Sequence, residues 1–192
     1  MRVLVSYLSQ TGNTEKIARA IYNEVSKGHE VDLKKIEDVN AETFNHYDLV
    51  FIGGPCQMGD LADPVKKILG SLPKSPKYKI AGFYTHGAPP EEKEDYTKCL
   101  STFQKCCAEK QIDFLGCFEC QGFPTPQIHQ IVTDYLIRNK GYTEERVKQR
   151  FEKAKNRPNL EDEKNARAFV REVLSKFFNI NFYKSLKIIF FK

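Results

Sequence analysis

The chain has 192 residues, enough to bury a full core in one domain, and its 30 Lys plus Arg against 25 Asp plus Glu leave a formal charge of +5. No apolar stretch reaches the roughly 20 residues that span a bilayer, no leader with a cleavage site is visible, and no nucleic-acid motif or aromatic platform accompanies the basic excess. A cytoplasmic protein is expected, its six cysteines reduced rather than paired as a disulfide framework.

The first strand pattern is Val3-Leu4-Val5 with Tyr7 and Leu8. Directly behind it stands Ser9-Gln10-Thr11-Gly12-Asn13-Thr14, followed by a helical repeat of Ile17, Ala18, Ile21, Tyr22 and Val25 that Lys27-Gly28 ends. A strand, a hydroxyl- and glycine-rich turn and a helix aim free backbone N–H groups and the positive end of the helix dipole at one spot, where an anion settles. Ser9, Thr11 and Thr14 add hydroxyls, Asn13 an amide, and Gly12 lets the backbone approach closely. The turn itself holds no Lys or Arg and no Gly-Lys-Ser/Thr, so it reads as a neutral cradle for a terminal phosphate, not a P-loop. The plain alternative is a helix cap.

A second strand is expected from Glu30 to Ile36, at an edge because Val31 and Leu33 alternate with charge. The third, Asp48 to Gly54, carries the unbroken run Leu49-Val50-Phe51-Ile52 of a central strand buried on both faces. It leads into the loop Gly53-Gly54-Pro55-Cys56-Gln57-Met58-Gly59-Asp60 and a helix from Asp63 to Leu72. Lys79 to Thr85 reads as the fourth strand, Thr85-His86-Gly87-Ala88-Pro89-Pro90 as its loop, Pro90 to Lys110 as a helix and Ile112 to Cys120 as the fifth strand. This alternation predicts an α/β fold, a doubly wound five-stranded parallel sheet in order 2-1-3-4-5 within three layers, with the ligand at the strand carboxyl ends.

The cysteines are read mainly as core thiols. Cys117-Phe118-Glu119-Cys120 has zinc-like spacing, but in a strand its two sulfurs point to opposite faces. Cys106 and Cys107 diverge by about 100° around a helix, where Cys99, Phe103 and Cys106 share the apolar side. No metal is expected. Cys56 stands apart, in a loop, as a candidate for redox or regulatory chemistry.

The strand followed by Ser9-Gln10-Thr11-Gly12-Asn13-Thr14 resembles the amino-terminal signature of the flavodoxin family, which surrounds the phosphate of FMN. That resemblance implies FMN as cofactor. It also implies that Pro55, Cys56, Gln57, Met58 and Gly59 flank the isoalloxazine, with Thr85, His86, Gly87 and Ala88 against its other side. A peptide at Gly59, with Met58 before it or Asp60 after it, is the expected site of the flip that presents a carbonyl to the flavin N5 as the semiquinone forms. Many flavodoxins sandwich the ring between aromatics; this chain has no Trp, leaving Met58, His86 or Tyr96 for those places and implying a potential less extreme than the family's lowest. His86 has two readings, a group that bonds the ring or passes a proton, and a strand-end cap.

Beyond strand five the chain is longer than a minimal flavodoxin. Residues 121–158 contain two helical patterns, Ile128-Ile131-Val132-Tyr135-Leu136 and Val147-Phe151-Ala154, with Gly141 to end the first and Thr143 to cap the second. A helical hairpin is expected inside a single domain of residues 1–178, closed by a helix from about Asn159 that buries Ala166, Phe169, Val170, Val173, Leu174 and Phe177. The apolar and basic tail, residues 179–192, has three readings: an added strand, a segment docked on the body or in a homodimer, and a weak membrane contact.

The expected function is FMN-dependent electron transfer to or from redox partner proteins, without nucleic acid. The alternatives are an FMN-dependent reductase acting directly on a small substrate and a non-catalytic interaction module on the same fold.

Overall fold

The computed structural model describes the backbone of residues 1–190 and the side chains of residues 1–180. Five parallel strands form the sheet in order β2-β1-β3-β5-β6: β1 Arg2–Tyr7, β2 Glu30–Lys35, β3 Leu49–Gln57, β5 Lys79–His86 and β6 Phe114–Gln121. The expected order holds, and one element is added to it. β4, Asp60–Leu61, folds back antiparallel on the end of β3, pairing Cys56 with Leu61 and Gln57 with Asp60.

Alternation along each strand divides the core between the two faces of the sheet. Leu4, Val50, Ile52, Ile80 and Tyr84 pack with α2 Asp63–Ser71 and α3 Thr97–Glu109. Val3, Val5, Leu49, Phe51, Ala81 and Phe83 pack with α1 Asn13–Val25 and the carboxyl-terminal helix α6 Leu160–Phe190. Ala166, Val170, Val173 and Phe177 are buried in that helix, as its spacing predicts, with Phe169 and Leu174 packed beside them. Cys117 and Cys120 fall on opposite faces of β6, joining different core clusters.

One expectation about the helices is corrected. The helix read from Pro90 begins at Thr97; before it lies a loop with a single short turn at Lys93–Asp95. Side-chain bonds to the insert hold this segment out of helix: Glu92 accepts from Tyr142 Oη and Arg150, and Asp95 from Lys140 at 2.9 Å. The insert is a hairpin of α4 Pro126–Lys140 and α5 Glu144–Ala154, with Gly141 at φ 65° ending the first helix and Thr143 Oγ1 accepting from Arg146 N–H. Within α4, however, the run from Ile128 to Leu136 is not one buried face. Leu136 is buried and Val132 packs beside it, whereas Ile128, Ile131 and Tyr135 are exposed.

The added-strand reading of the tail is also replaced, because α6 continues through Phe190. The docking and membrane readings depend on side chains that lie outside the described residues. Among the described residues no helix is long and apolar enough to cross a membrane.

Candidate functional site

Between β1 and α1 the chain turns at Gly12, whose φ of 83° is a left-handed conformation that costs an L-residue about 1–2 kcal/mol and glycine almost nothing. A Cβ here would find no heavy atom within 4 Å, so it is the backbone conformation, not space, that selects glycine. The turn is stapled from within: Gly12 N–H donates to Ser9 Oγ at 3.1 Å and Asn13 N–H to Thr11 Oγ1 at 3.4 Å. Both hydroxyls accept in these bonds and keep their own protons for an outside acceptor. The first intrahelical bond of α1 runs from Lys16 N–H to Gly12 O, so the amides of Thr14 and Glu15 stand ahead of the helical ladder.

Two side chains expected to face the anion are committed elsewhere. Asn13 Nδ2 donates to Phe123 O at 2.7 Å, and the buried Thr14 hydroxyl bonds Thr85 Oγ1 at 2.8 Å. They tie the turn to β5 and to the segment just past β6, and leave the backbone amides as its uncommitted donors. Cations absent from the turn itself arrive from its flanks. Lys16 and Arg157 join Thr11, Gly12, Asn13 and Asn156–Leu160 in lining a groove of about 560 Å³. Each is paired with an acid, Lys16 Nζ with Glu163 at 3.5 Å and Arg157 with Asp162 at 2.7 Å, and Lys16 Nζ also donates to Pro158 O at 2.8 Å. The donor set of amides, hydroxyls and a glycine backbone fits a phosphate monoester.

The second loop is a two-residue hairpin turn. Met58 at φ 49° and Gly59 at φ 81° form it between β3 and β4, with the Met58 side chain fully exposed. Pro55 O accepts from Ala62 N–H at 3.1 Å at its base, and Gln57 Nε2 donates to Gln10 Oε1 at 2.8 Å, joining this hairpin to the phosphate turn. Asp60 Oδ1 accepts from its neighbour Leu61 N–H and from Thr102 Oγ1 at 2.7 Å. Burial pushes the Asp60 carboxyl up, but the Thr102, Leu61 and Lys98 donors together outweigh it and hold the group below its ordinary value.

The third loop differs from expectation in one respect. His86 is buried: its Nδ1–H donates to Ala88 O at 2.9 Å, its Nε2 pairs with the Glu119 carboxylate, and its ring stacks on Tyr96 at 3.6 Å and 7°. His86 and Tyr96 thus cover each other, and of the three side chains considered for stacking only Met58 is free. The strand-end reading of His86 is the one the bonding supports. Thr85 and Ala88 are buried as well, while Gly87 is exposed and its carbonyl accepts from Gln121 Nε2 at 3.5 Å. Sequence reasoning missed the second wall of the groove, Asn156–Leu160, since nothing in its composition marks it as returning to residue 12.

Comparison with known proteins agrees with this geometry. A family model described as a flavodoxin domain matches residues 4–171. The flavodoxin-like domain-containing protein BilS of Clostridioides difficile is 34% identical over 64% of this chain, a match spanning 66% of BilS, just under two thirds of its length. An uncharacterized protein of Methanocaldococcus jannaschii is 29% identical over 91% of this chain and 99% of its own. Among solved structures, a Streptococcus pneumoniae flavodoxin covers 92% of this chain and 99% of its own at a TM-score of 0.62 and 15% identity, a likeness of fold. Oxidised flavodoxin 1 of Bacillus cereus stands at 0.62 and 17%, covering 91% and 98%. The family match takes in all of the sheet but the first two residues of β1 and all three loops at its carboxyl edge, and the chain belongs to the flavodoxin family of FMN-binding electron-transfer domains.

Proposed function

We propose that this chain is an electron carrier that holds FMN with its phosphate in the Ser9–Thr14 turn and passes electrons to or from a redox partner protein through a flavin edge beside the Met58–Gly59 hairpin. The bound flavin supplies the redox chemistry, and the residues supply position. The amides of Thr14 and Glu15, with the free protons of Ser9 and Thr11, receive the phosphate oxygens, and the dipole of α1 favours the negative charge. Gln10 and Gln57, bonded to each other, set the spacing between the phosphate turn and the ring loop. One observation carries the choice of a carrier: the hairpin turn projects into solvent with Met58 fully exposed, an open approach for a docked protein.

A second reading, an FMN-dependent reductase of a small substrate, is favoured by the insert, which is bonded across the 87–96 loop through Glu92 and Asp95 and is placed to act as a lid. Stepwise anaerobic reduction of FMN-reconstituted protein, followed by visible absorption, separates the two. A one-electron-reduced flavin that accumulates supports the carrier. Direct passage to the two-electron form, with fast NAD(P)H oxidation in the absence of any partner, supports the reductase, and no bound flavin at all overturns both.

A further inference from the structure

The insert reaches the ring hairpin through an acidic segment that lies between them. The turn joining α4 to α5 delivers two ties within three residues: Lys140 Nζ meets both Asp95 carboxylate oxygens at 2.9 Å, and Tyr142 Oη donates to Glu92 Oε1 at 2.5 Å. Arg150, largely buried, adds a third by donating to Glu92 Oε2 at 3.1 Å. On its other side the same segment touches the hairpin. Asp95 O lies 3.9 Å from Cys56 Sγ, at the hairpin base, and 3.5 Å from the point that a Cβ on Gly59 would occupy, at its tip. The insert thus holds the Asp95 side chain while the Asp95 carbonyl faces the hairpin.

These ties work against the segment's own preference. Pro89-Pro90-Glu91-Glu92-Lys93-Glu94-Asp95 has the composition of a helix start, with proline at the first position and acids in the first turn. A helix there would run straight into α3. Instead, Glu92 at φ −108°, ψ 49° and Tyr96 at φ −143°, ψ −8° interrupt it, with one short turn between them. The consequence falls on one carbonyl. Cys99 N–H donates to Tyr96 O at 3.1 Å, whereas a continuous α-helix would give it Asp95 O, four residues back, and draw that carbonyl away from the hairpin.

We propose that Lys140 is a positioning residue for the ring hairpin: by holding the Asp95 carboxylate it keeps residues 90–96 out of α3 and the Asp95 carbonyl against Cys56 and Gly59, so that the insert sets how freely the Met58–Gly59 turn moves. The redox consequence rests on the reading that a flavin edge lies beside this turn; the link between insert and hairpin does not. The Lys140 and Asp95 side chains are 26% and 33% exposed, so salt weakens their pairing and loosens the hairpin with it.

The test is native-state amide exchange on the flavin-free chain. In Lys140→Met, exchange at Ala62, whose N–H is bonded to Pro55 O at the hairpin base, should quicken by up to about fivefold, the most that a partly exposed ion pair supplies. Exchange at Lys16, bonded to Gly12 O in the other turn, should not change. Tyr142→Phe, which removes a single hydroxyl and disturbs the insert least, should give a smaller change at the same place. The exchanged pair, Lys140→Asp with Asp95→Lys, should recover most of the native rate. With FMN bound, Lys140→Met should shift the separation between the two reduction potentials and leave the affinity for FMN unchanged. Native exchange at Ala62, equal quickening at Ala62 and Lys16, or an unchanged separation of potentials overturns the proposal. A chain that takes up no FMN and still shows the Ala62 effect keeps the link and loses the proposed function, so the two failures are read apart.

Discussion

At the proposed phosphate end of the carboxyl edge, Gly12, Asn13 and Thr14 are each bonded within the turn or to β5 and the segment just past β6. At the proposed ring end, two residues in left-handed conformations carry the chain around in solvent, held through Cys56, Gln57 and Asp60. The difference is one of preorganisation. A phosphate has one shape in every redox state, so a fixed cradle loses nothing by being rigid, whereas a flavin edge changes its hydrogen bonding on reduction and requires a loop able to follow. The sharpest way to break this contrast is to damage each end and compare stability with redox behaviour.

The largest stability effect is expected from Thr14→Val. It leaves the buried Thr85 hydroxyl without its partner, at about 1–3 kcal/mol. Adding Thr85→Val should recover part of that loss, since two apolar groups of like shape leave nothing unpaired. Urea midpoints of the single and double variants check it; a fully additive pair would show that the Thr14–Thr85 bond does not matter.

Next stands Gly12→Ala, expected to cost about 1–2 kcal/mol through the left-handed φ alone. Its affinity for FMN should fall while that for riboflavin, which lacks the phosphate, stays within twofold. Equal losses for both flavins would place the phosphate somewhere else. At the ring end, Gly59→Ala should cost about 1 kcal/mol, with only the ordinary contact of Asp95 O at 3.5 Å opposing a Cβ. Its larger effect should be on the separation between the first and second reduction potentials, measured by anaerobic titration. An unchanged separation would detach this turn from the flavin.

How much of this was legible in the sequence follows the same division. The strand order and the turn between β1 and α1 were readable because each rests on a local pattern: continuous apolar runs for β3, alternation for β2, and a glycine between hydroxyls before a helical repeat. The partners of Asn13 and Thr14 were not readable, because Phe123 and Thr85 come beside them only through the doubly wound topology. Residues 90–96 were read as helix for a related reason: their types permit one, and what prevents it is bonding to Lys140, Tyr142 and Arg150 in a distant insert. Cys56 was singled out by its place in the loop, yet nothing local signalled that its sulfur would come within 3.9 Å of Asp95 O, ahead of α3.

The smallest expected effect concerns pH and the one charged anchor of the ring hairpin. Asp60 has a carboxyl depressed in the folded state by Thr102, Leu61 N–H and Lys98 against its own burial. A carboxyl lowered on folding stabilises the fold fully above its unfolded value of about 4, and that contribution disappears as pH falls through the lower folded value. Stability should therefore decline below pH 4 more steeply in the native chain than in Asp60→Asn, which keeps an acceptor for Leu61 and Thr102 but has no proton to take up. Because β4 is only two residues long, the decline should appear first as faster amide exchange at Leu61 and at Met58–Gly59, with the phosphate turn still protected. Simultaneous loosening of both ends would mean that the Gln10–Gln57 bond couples them into one cooperative unit, and the rigid and adaptable halves of the site would then be a single element.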